Sequence, residues 1–356
     1  MGVSATAFPI GNRRVGEGCP VFVIAEIGCN HENSFDRCCE MIVAAARCGA
    51  DAAKLQSFHA RTLVTRDAPK FWDIPGPGKT QYEEFEACEP RFTPAQYREM
   101  FSLAQAHGIL LFSTPTDESW VDFLDELKAP AFKVASMDIT HLPLLRHIAR
   151  KGKPVILSTG ASFVPEIRQA VMTIRKEGDA RIVLLHCVSI YPTPAAQANL
   201  RMMGDLVREF PDCVIGYSDH TIQDELLCVP TLAVAMGARV VEKHFTFDRS
   251  RPGYDHAISA DYEGFRRMVE EFRFVEQTLG APAKTPTEQE DRARRHGRRS
   301  VVAVVDISKG EPIRSGMLAV KRPGTGIAPE FLETLYGKVA TRNIPRDQVL
   351  TWEVLA

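Results

Sequence analysis

Short apolar, β-rich runs alternate along the chain with stretches of helical period. The runs are VFVIAEIG at 21–28, AAKLQSF at 52–58, LLFSTP at 110–115, AFKVAS at 131–136, PVILST at 154–159, IVLLHCVS at 182–189, VIGYSDH at 214–220 and VVEKHF at 240–245. Near-continuous apolar runs of this length read as strands buried on both faces. Between most of them lie amphipathic segments such as DRCCEMIVAAARCG, TPAQYREMFSLAQAHG and PEIRQAVMTIRKEG, and several end in Gly or Lys-Gly as helix C-termini do. Eight strands alternating with helices predict an α/β chain, either a (β/α)8 TIM barrel or a doubly wound open sheet.

The polar positions favour the barrel. Nearly every run stays apolar until its last residues and then turns polar. The endings are Glu26; Lys54 and Gln56; Ser113 and Thr114; Lys133 and Ser136; Ser158 and Thr159; His186 and Ser189; Ser218, Asp219 and His220; Glu242, Lys243 and His244. A barrel gathers all these ends on one rim, where barrel enzymes place their chemistry, whereas an open sheet strings them along an edge. The residues ahead of the first strand predict a small hairpin plugging the barrel bottom, giving a barrel domain over 1–280. Residues 281–297, APAKTPTEQEDRARRHG, are polar and carry Pro and Thr-Pro signals, so a linker is expected. Short alternating strands then predict a compact, mainly β domain over 298–356.

Composition sets the outer bounds. A chain of 356 residues suits a barrel plus a small second domain. The net charge of -2 provides no basic field for nucleic acid or an anionic membrane. No signal peptide or apolar transmembrane run is present, so a cytoplasmic location is expected. Nine cysteines, an odd number without zinc-ribbon spacing, point to reduced, buried thiols.

Candidate chemistry sits at the strand ends. His220 and His244 would be rim neighbours in a barrel. Two neutral imidazoles with open positions suit a catalytic divalent metal, and satisfied strand caps are the alternative. Asp255 and His256 follow closely enough to fold over the same rim. Lys54 and Lys133 interrupt apolar strands, where an unpaired ammonium costs several kcal/mol, so each requires an anion. With the hydroxyls of Thr114, Ser136, Ser158, Ser189 and Ser218 they describe a cradle for phosphate and carboxylate. A Schiff-base lysine is the competing functional reading. Glu26 is a general acid or base, an orienter, or a strand cap. Pairing Glu26 with Glu242 as glycosidase carboxylates leaves the lysines without a role. These pieces fit aldol-like condensation of an enol such as phosphoenolpyruvate with a sugar aldehyde, and spacing alone does not name the sugar.

The segments AEIGCNHENS, DAAKLQSF, LLFSTPTDE, AFKVASMDITHLPLL, KGKPVILSTGAS, LLHCVSIYPTP, GYSDHT and EKHFTFDRSRPGYDH together resemble the sialic acid synthase family, which includes N-acetylneuraminate, legionaminate and pseudaminate synthases and spore-coat polysaccharide homologues. The resemblance runs from about residue 20 to the C-terminus, where GRRSVVAVVDISKGEPI and KRPGTGI are similar to the antifreeze-like (SAF) domain. It implies condensation of phosphoenolpyruvate with an open-chain acylamino sugar and release of phosphate. Lys54, Thr114, Lys133, Ser136, Ser158, Ser189 and Ser218 would hold phosphoenolpyruvate. His220 and His244 would bind Mn2+, with Mg2+ or Co2+ as alternatives, and Glu26 would handle protons. Gln56, Tyr191 and Asp255 would contact the sugar. The family's domain-swapped homodimer would bring Arg322 to the acylamino group from the other subunit. The family pattern is broken at Asn33, where glycine is usual, at Ser189, at Thr116 in STPT, at Asp138 and in GYDH. These departures fall mostly on the sugar side. A metal-dependent barrel hydrolase and a non-catalytic sugar-acid-binding protein are the alternatives.

Overall fold

The computed structural model describes residues 7–72, 76–222, 228–253, 255–281 and 283–356. They form two compact units, Met1–Gly280 and Ala281–Ala356. The first opens with an antiparallel hairpin, β1 (Phe8–Ile10) and β2 (Arg13–Val15). Eight strands follow: β3 (Phe22–Gly28), β4 (Ala52–Ser57), β5 (Leu110–Pro115), β6 (Phe132–Val134), β7 (Val155–Ser158), β8 (Ile182–His186), β9 (Val214–Asp219) and β10 (Val240–His244). Their order is β5-β4-β3-β10-β9-β8-β7-β6 and every ladder is parallel. β5 and β6 lie against each other at the seam and complete the barrel. The expected strands therefore form, each within a few residues of its predicted ends.

The helices between strands begin where the sequence supplies caps. Ser34 accepts from Arg37 N ahead of helix Phe35–Arg47. Thr93 and Gln96 form a reciprocal capping box on helix Pro94–Ala106, which starts on proline. The hairpin lies across the N-terminal ends of the strands. Phe8, Ile10 and Val15 join the barrel core. Arg13 donates to Gly108 O at 3.3 Å and sits 3.5 Å from Asp51, just ahead of β5 and β4.

One expectation is corrected. The polar strand ends do not all reach the rim, because side chains alternate between the two faces of a strand. Ser218, Glu242 and His244 face inward; Asp219 and Lys243 turn to the helical layer. There Lys243 Nζ lies 2.6 Å from Asp219 Oδ2 and donates to Thr221 O at 2.6 Å. Asp219 also accepts from Tyr217 OH at 2.8 Å and Thr221 Oγ1 at 3.0 Å. Ser57 and Ser113 bond each other at 2.7 Å on the same outer side, and His186 Nε2 donates to Ala198 O at 2.9 Å.

The second unit pairs β11 (Ser300–Ala303) with β12 (Leu318–Lys321) in antiparallel fashion around its own core, which includes Val301, Ile307, Ile313, Ile327 and Leu350. The segment expected as a linker is partly helical, at Asp291–Gly297. A Thr287–Glu290 capping box precedes it, and Gly324 N donates to Arg295 O at 2.9 Å, so local caps and a loop contact order a polar stretch. All nine cysteines are free. Among the described residues no helix is long and apolar enough to cross a membrane.

The Lys243–Asp219 pair is buried and fully bonded, so removing one partner strands a charge. Asp219→Ala is expected to lower stability by about 3–5 kcal/mol in urea unfolding, and pairing Asp219→Leu with Lys243→Met is expected to recover most of that loss.

Candidate active site

A cavity of about 260 Å³ lies where the C-terminal strand ends meet. Glu26, Lys54, Gln56, Thr114, Lys133, Ser136, Ser158, Tyr191, Ser218, His220, His244 and Asp255 all line it. Ladder register explains the convergence: Glu26 is level with both Lys54 and His244, and Ser218 is level with Glu242. Ser189 is not on the wall. Its hydroxyl lies by Gly160 with Ser136 Oγ and Cys187 Sγ, where an added Cβ would meet them at 2.4, 2.9 and 2.8 Å. Arg322 belongs to the second unit, ahead of a cis peptide to Pro323. Thr116 and Asp138 line the cavity, and the tyrosine of GYDH lies outside the described residues.

The interior holds two ammonium groups and two carboxylates, none more than 4% exposed. Lys54 Nζ stands 2.7 Å from Glu26 and 3.6 Å from Glu242, and donates to Thr114 Oγ1 at 2.8 Å. Lys133 Nζ stands 3.8 Å from Glu242 and donates to Val134 O at 3.0 Å. Glu242 accepts from Ser218 Oγ at 3.0 Å, and Gln56 Nε2 donates to Glu26 Oε1 at 2.9 Å. Among the described residues the buried Ser158 and Ser189 hydroxyls have no partner. Two cations with spare hydroxyl donors around them can take an anion.

The two carboxylates are held apart in acidity. Burial raises Glu26, and Lys54 only partly offsets it. Burial also acts on Glu242, but Lys133 and Lys54 outweigh it and hold that carboxyl below its usual value. Burial lowers Lys133, whereas at Lys54 the two glutamates overcome burial and raise it. Paired groups with separated acidities mark acid–base work, with Glu26 the more readily protonated of the two. Sequence reading did not place Glu242 in the anion cradle. The signal was its spacing: two residues before His244, it must share that residue's face.

His220 and His244 lie side by side with ring centroids 5.5 Å apart. His220 Nδ1 donates to Val188 O at 2.9 Å, which leaves Nε2 with a bare lone pair. Among the described residues His244 Nδ1 is buried without a hydrogen bond, 3.4 Å from Asp255 Oδ2. Burial holds His220 down to about 4 and His244 well below its ordinary value, so both are neutral at pH 7. Among the described residues no cluster of three His, Cys, Asp or Glu forms a closed metal cage. Two neutral imidazoles with an orphaned ring nitrogen fit a metal that takes its remaining ligands from water and substrate. Burial pushes Asp255 up to about 7 and Asp138 up to about 6. The Tyr191 ring packs 4.3 Å from that of His220, ahead of a cis peptide to Pro192.

Local backbone shapes this mouth. β3 slips register between Glu26 and Gly28. Gly28 has φ 53, and a Cβ there would meet Glu26 Oε1 at 2.9 Å and Gln56 Nε2 at 3.1 Å. Asn33 has φ 59, the left-handed region that glycine favours and asparagine tolerates, which accounts for this departure from the family pattern. Its N–H donates to His31 Nδ1 at 3.0 Å.

A parallel barrel with a buried, charge-paired pocket at its C-terminal mouth is the architecture of a TIM-barrel enzyme. Comparison with known proteins gives the family. Residues 41–284 match the NeuB family and residues 298–356 match the SAF domain. The chain belongs to the NeuB family, as its motifs led us to expect, and is a synthase of that family. It is 39% identical over 345 residues to N,N'-diacetyllegionaminic acid synthase of Legionella pneumophila, covering 95% of each chain. It is 36% identical over 344 residues to N-acetylneuraminate-9-phosphate synthase of Mus musculus, covering 96% of this chain and 94% of the relative. The solved N-acetylneuraminic acid synthetase of Leptospira borgpetersenii superposes with a TM-score of 0.72 at 32% identity, covering 81% of this chain and 95% of the other.

His31 gives a pH prediction. Burial holds it down to about 4, so the unfolded chain binds its proton first as pH falls. Its contribution is complete above about pH 6.5 and is lost as pH drops toward 4, roughly 3 kcal/mol across that window. Stability measured by urea unfolding at stepped pH should fall accordingly, and less steeply in His31→Gln.

Proposed function

We propose that the enzyme condenses phosphoenolpyruvate with an open-chain acylamino sugar, yielding a nonulosonic, sialic-type acid and phosphate in the cytoplasm. The observation that carries this reading is the buried Lys54–Lys133 pair, with unused serine hydroxyls, opening beside two neutral histidines. A donor bearing both phosphate and carboxylate matches that cradle. The names of the relatives support the product class.

In this reading Lys54, Lys133, Thr114, Ser136, Ser158 and Ser218 hold the phosphate and carboxylate, with Ser189 behind Ser136. An entering anion relieves the two ammoniums of their reliance on Glu26 and Glu242. Glu26, freed from Lys54 and steadied by Gln56, moves the proton required as water adds and phosphate leaves. Gln56, Tyr191 and Asp255 hold hydroxyls of the sugar. His220 and His244 would hold a divalent cation, Mn2+ or else Mg2+ or Co2+, which when bound polarises an aldehyde oxygen as a Lewis acid. A domain-swapped homodimer would bring Arg322 to the acylamino group in the partner's barrel. A metal hydrolase is less well supported, because it gives the lysine cradle no task. A non-catalytic sugar-acid binder gives none to the separated acidities of Glu26 and Glu242.

Phosphate release from phosphoenolpyruvate should require both an acylamino sugar and Mn2+, and silence with every such sugar in a folded, metal-loaded sample would sink the proposal. Glu26→Gln should lower kcat by about 10²–10⁴-fold while calorimetry still detects phosphoenolpyruvate binding. Retained turnover would remove Glu26 from the reaction. Arg322→Ala should raise the acceptor KM about tenfold, the loss of roughly one charge-assisted hydrogen bond. An unchanged KM would remove the cross-subunit contact.

A further inference from the structure

The roles assigned so far leave one wall of the cavity without work. Cys29 Sγ donates to Gln56 Oε1 at 3.5 Å, so this wall begins one residue beyond the pair that Gln56 makes with Glu26. Cys29, Phe58 and Cys88 form a small buried apolar cluster with Phe85 packed on it. Phe58 and Phe85 meet edge to face at 5.4 Å, and Trp72 meets Phe85 at 5.8 Å. All of these line the cavity. The charged group on this wall, among the described residues, is Glu84. It accepts from Trp72 Nε1 at 3.3 Å and pairs with Lys70. Lys70 spends its other donors on Pro77 O and Gly78 O, at 3.1 and 2.9 Å.

We infer that this aromatic and thiol wall receives the end of the acceptor sugar remote from its aldehyde, and selects an end bearing a methyl or a second acyl group over one bearing free hydroxyls or a phosphate. The inference rests on the proposed function, which puts the aldehyde between Glu26 and the two histidines. Three arguments lead to it. A phosphate would face the carboxylate of Glu84, and in the proposed function Lys54 and Lys133 are already taken by phosphoenolpyruvate. A hydroxyl would exchange water for ring edges and weakly bonding thiols, and a buried hydroxyl without a partner is penalised. A methyl or acetyl methyl would gain ring contact and give up no hydrogen bond. The wall comes from the end of β3 and from the segment between β4 and helix Pro94–Ala106, both separate from the strands that supply the lysines.

The test uses the full chain with phosphoenolpyruvate, Mn2+ and four acceptors. These are N-acetylmannosamine, its phosphate ester at C6, its 6-deoxy analogue, and the 6-deoxy analogue with a second acetamido group at C4. The expected order of kcat/KM puts the deoxygenated, diacylated sugar first, about 10- to 100-fold above N-acetylmannosamine, with the phosphate ester last. Equal or better use of N-acetylmannosamine or its phosphate ester would overturn the inference. Calorimetry with the four corresponding alditols, which cannot react, separates this from the synthase proposal. If no sugar turns over, that proposal falls, and the alditol binding order alone upholds or refutes the wall's preference. Phe85→Tyr, which adds a hydroxyl with little change in shape, should narrow the preference while leaving the KM for phosphoenolpyruvate in place. An unaltered preference would remove Phe85 from the selection.

Discussion

Burying an ammonium inside a barrel is permissible only if an anion meets it, and two such groups share this interior. Lys54 and Lys133 are held by Glu26 and Glu242 at 2.7–3.8 Å, and most other features of the mouth follow from that arrangement. The carboxylates are not equivalent partners. Both lysines lean on Glu242 and keep it ionised, while Glu26 is pulled upward by burial. Under the proposed function, these carboxylates stand in for the charges of the donor, and an incoming anion would displace them. Such a pocket is expensive to leave unfilled and selective about what fills it.

The outer face of the same strands solves a different problem with the same chemistry. Lys243 and Asp219 alternate along their strands with Glu242, His244, Ser218 and His220, and bond each other in the helical layer. The two neighbouring strands therefore present catalytic candidates inward and a structural ion pair outward. The backbone under the two histidines is pinned from behind, which limits how far the imidazoles can drift apart.

The barrel was legible in the sequence because fully buried parallel strands leave near-continuous apolar runs, and their polar endings are conspicuous against that background. The inward lysines, histidines and hydroxyls could be read for the same reason. Asp219 and Lys243 could not be separated from them by composition, since only the alternation of faces tells inner from outer, and β3 interrupts that alternation at Gly28. Glu242 was hidden between a lysine and a valine, both facing away from it. The acceptor wall was least legible. Phe58 closes a strand run, whereas Trp72, Phe85 and Cys88 come from a long segment without a motif, and their apolar character looks like ordinary core until the chain folds them over the mouth. Helix Asp291–Gly297 escaped notice because its stability comes from caps and one loop contact, not from an apolar stripe.

The slip in β3 has a wider meaning. Glu26 faces the cavity; regular alternation would send Cys29 to the helical layer, and the shift before Gly28 turns it back inward. Ile27 and Gly28 alone then separate the Glu26 carboxylate from the wall proposed to meet the far end of the acceptor. The proposed donor cradle, built on β4, β5, β6, β7 and β9, has no share in that short arm. Descendants of such a barrel can exchange one sugar for another by reworking the arm and the segment opposite it, and the bond-making apparatus need not be reinvented each time. In this chain, then, the reach of the proposed acceptor arm is set by where a single strand loses step.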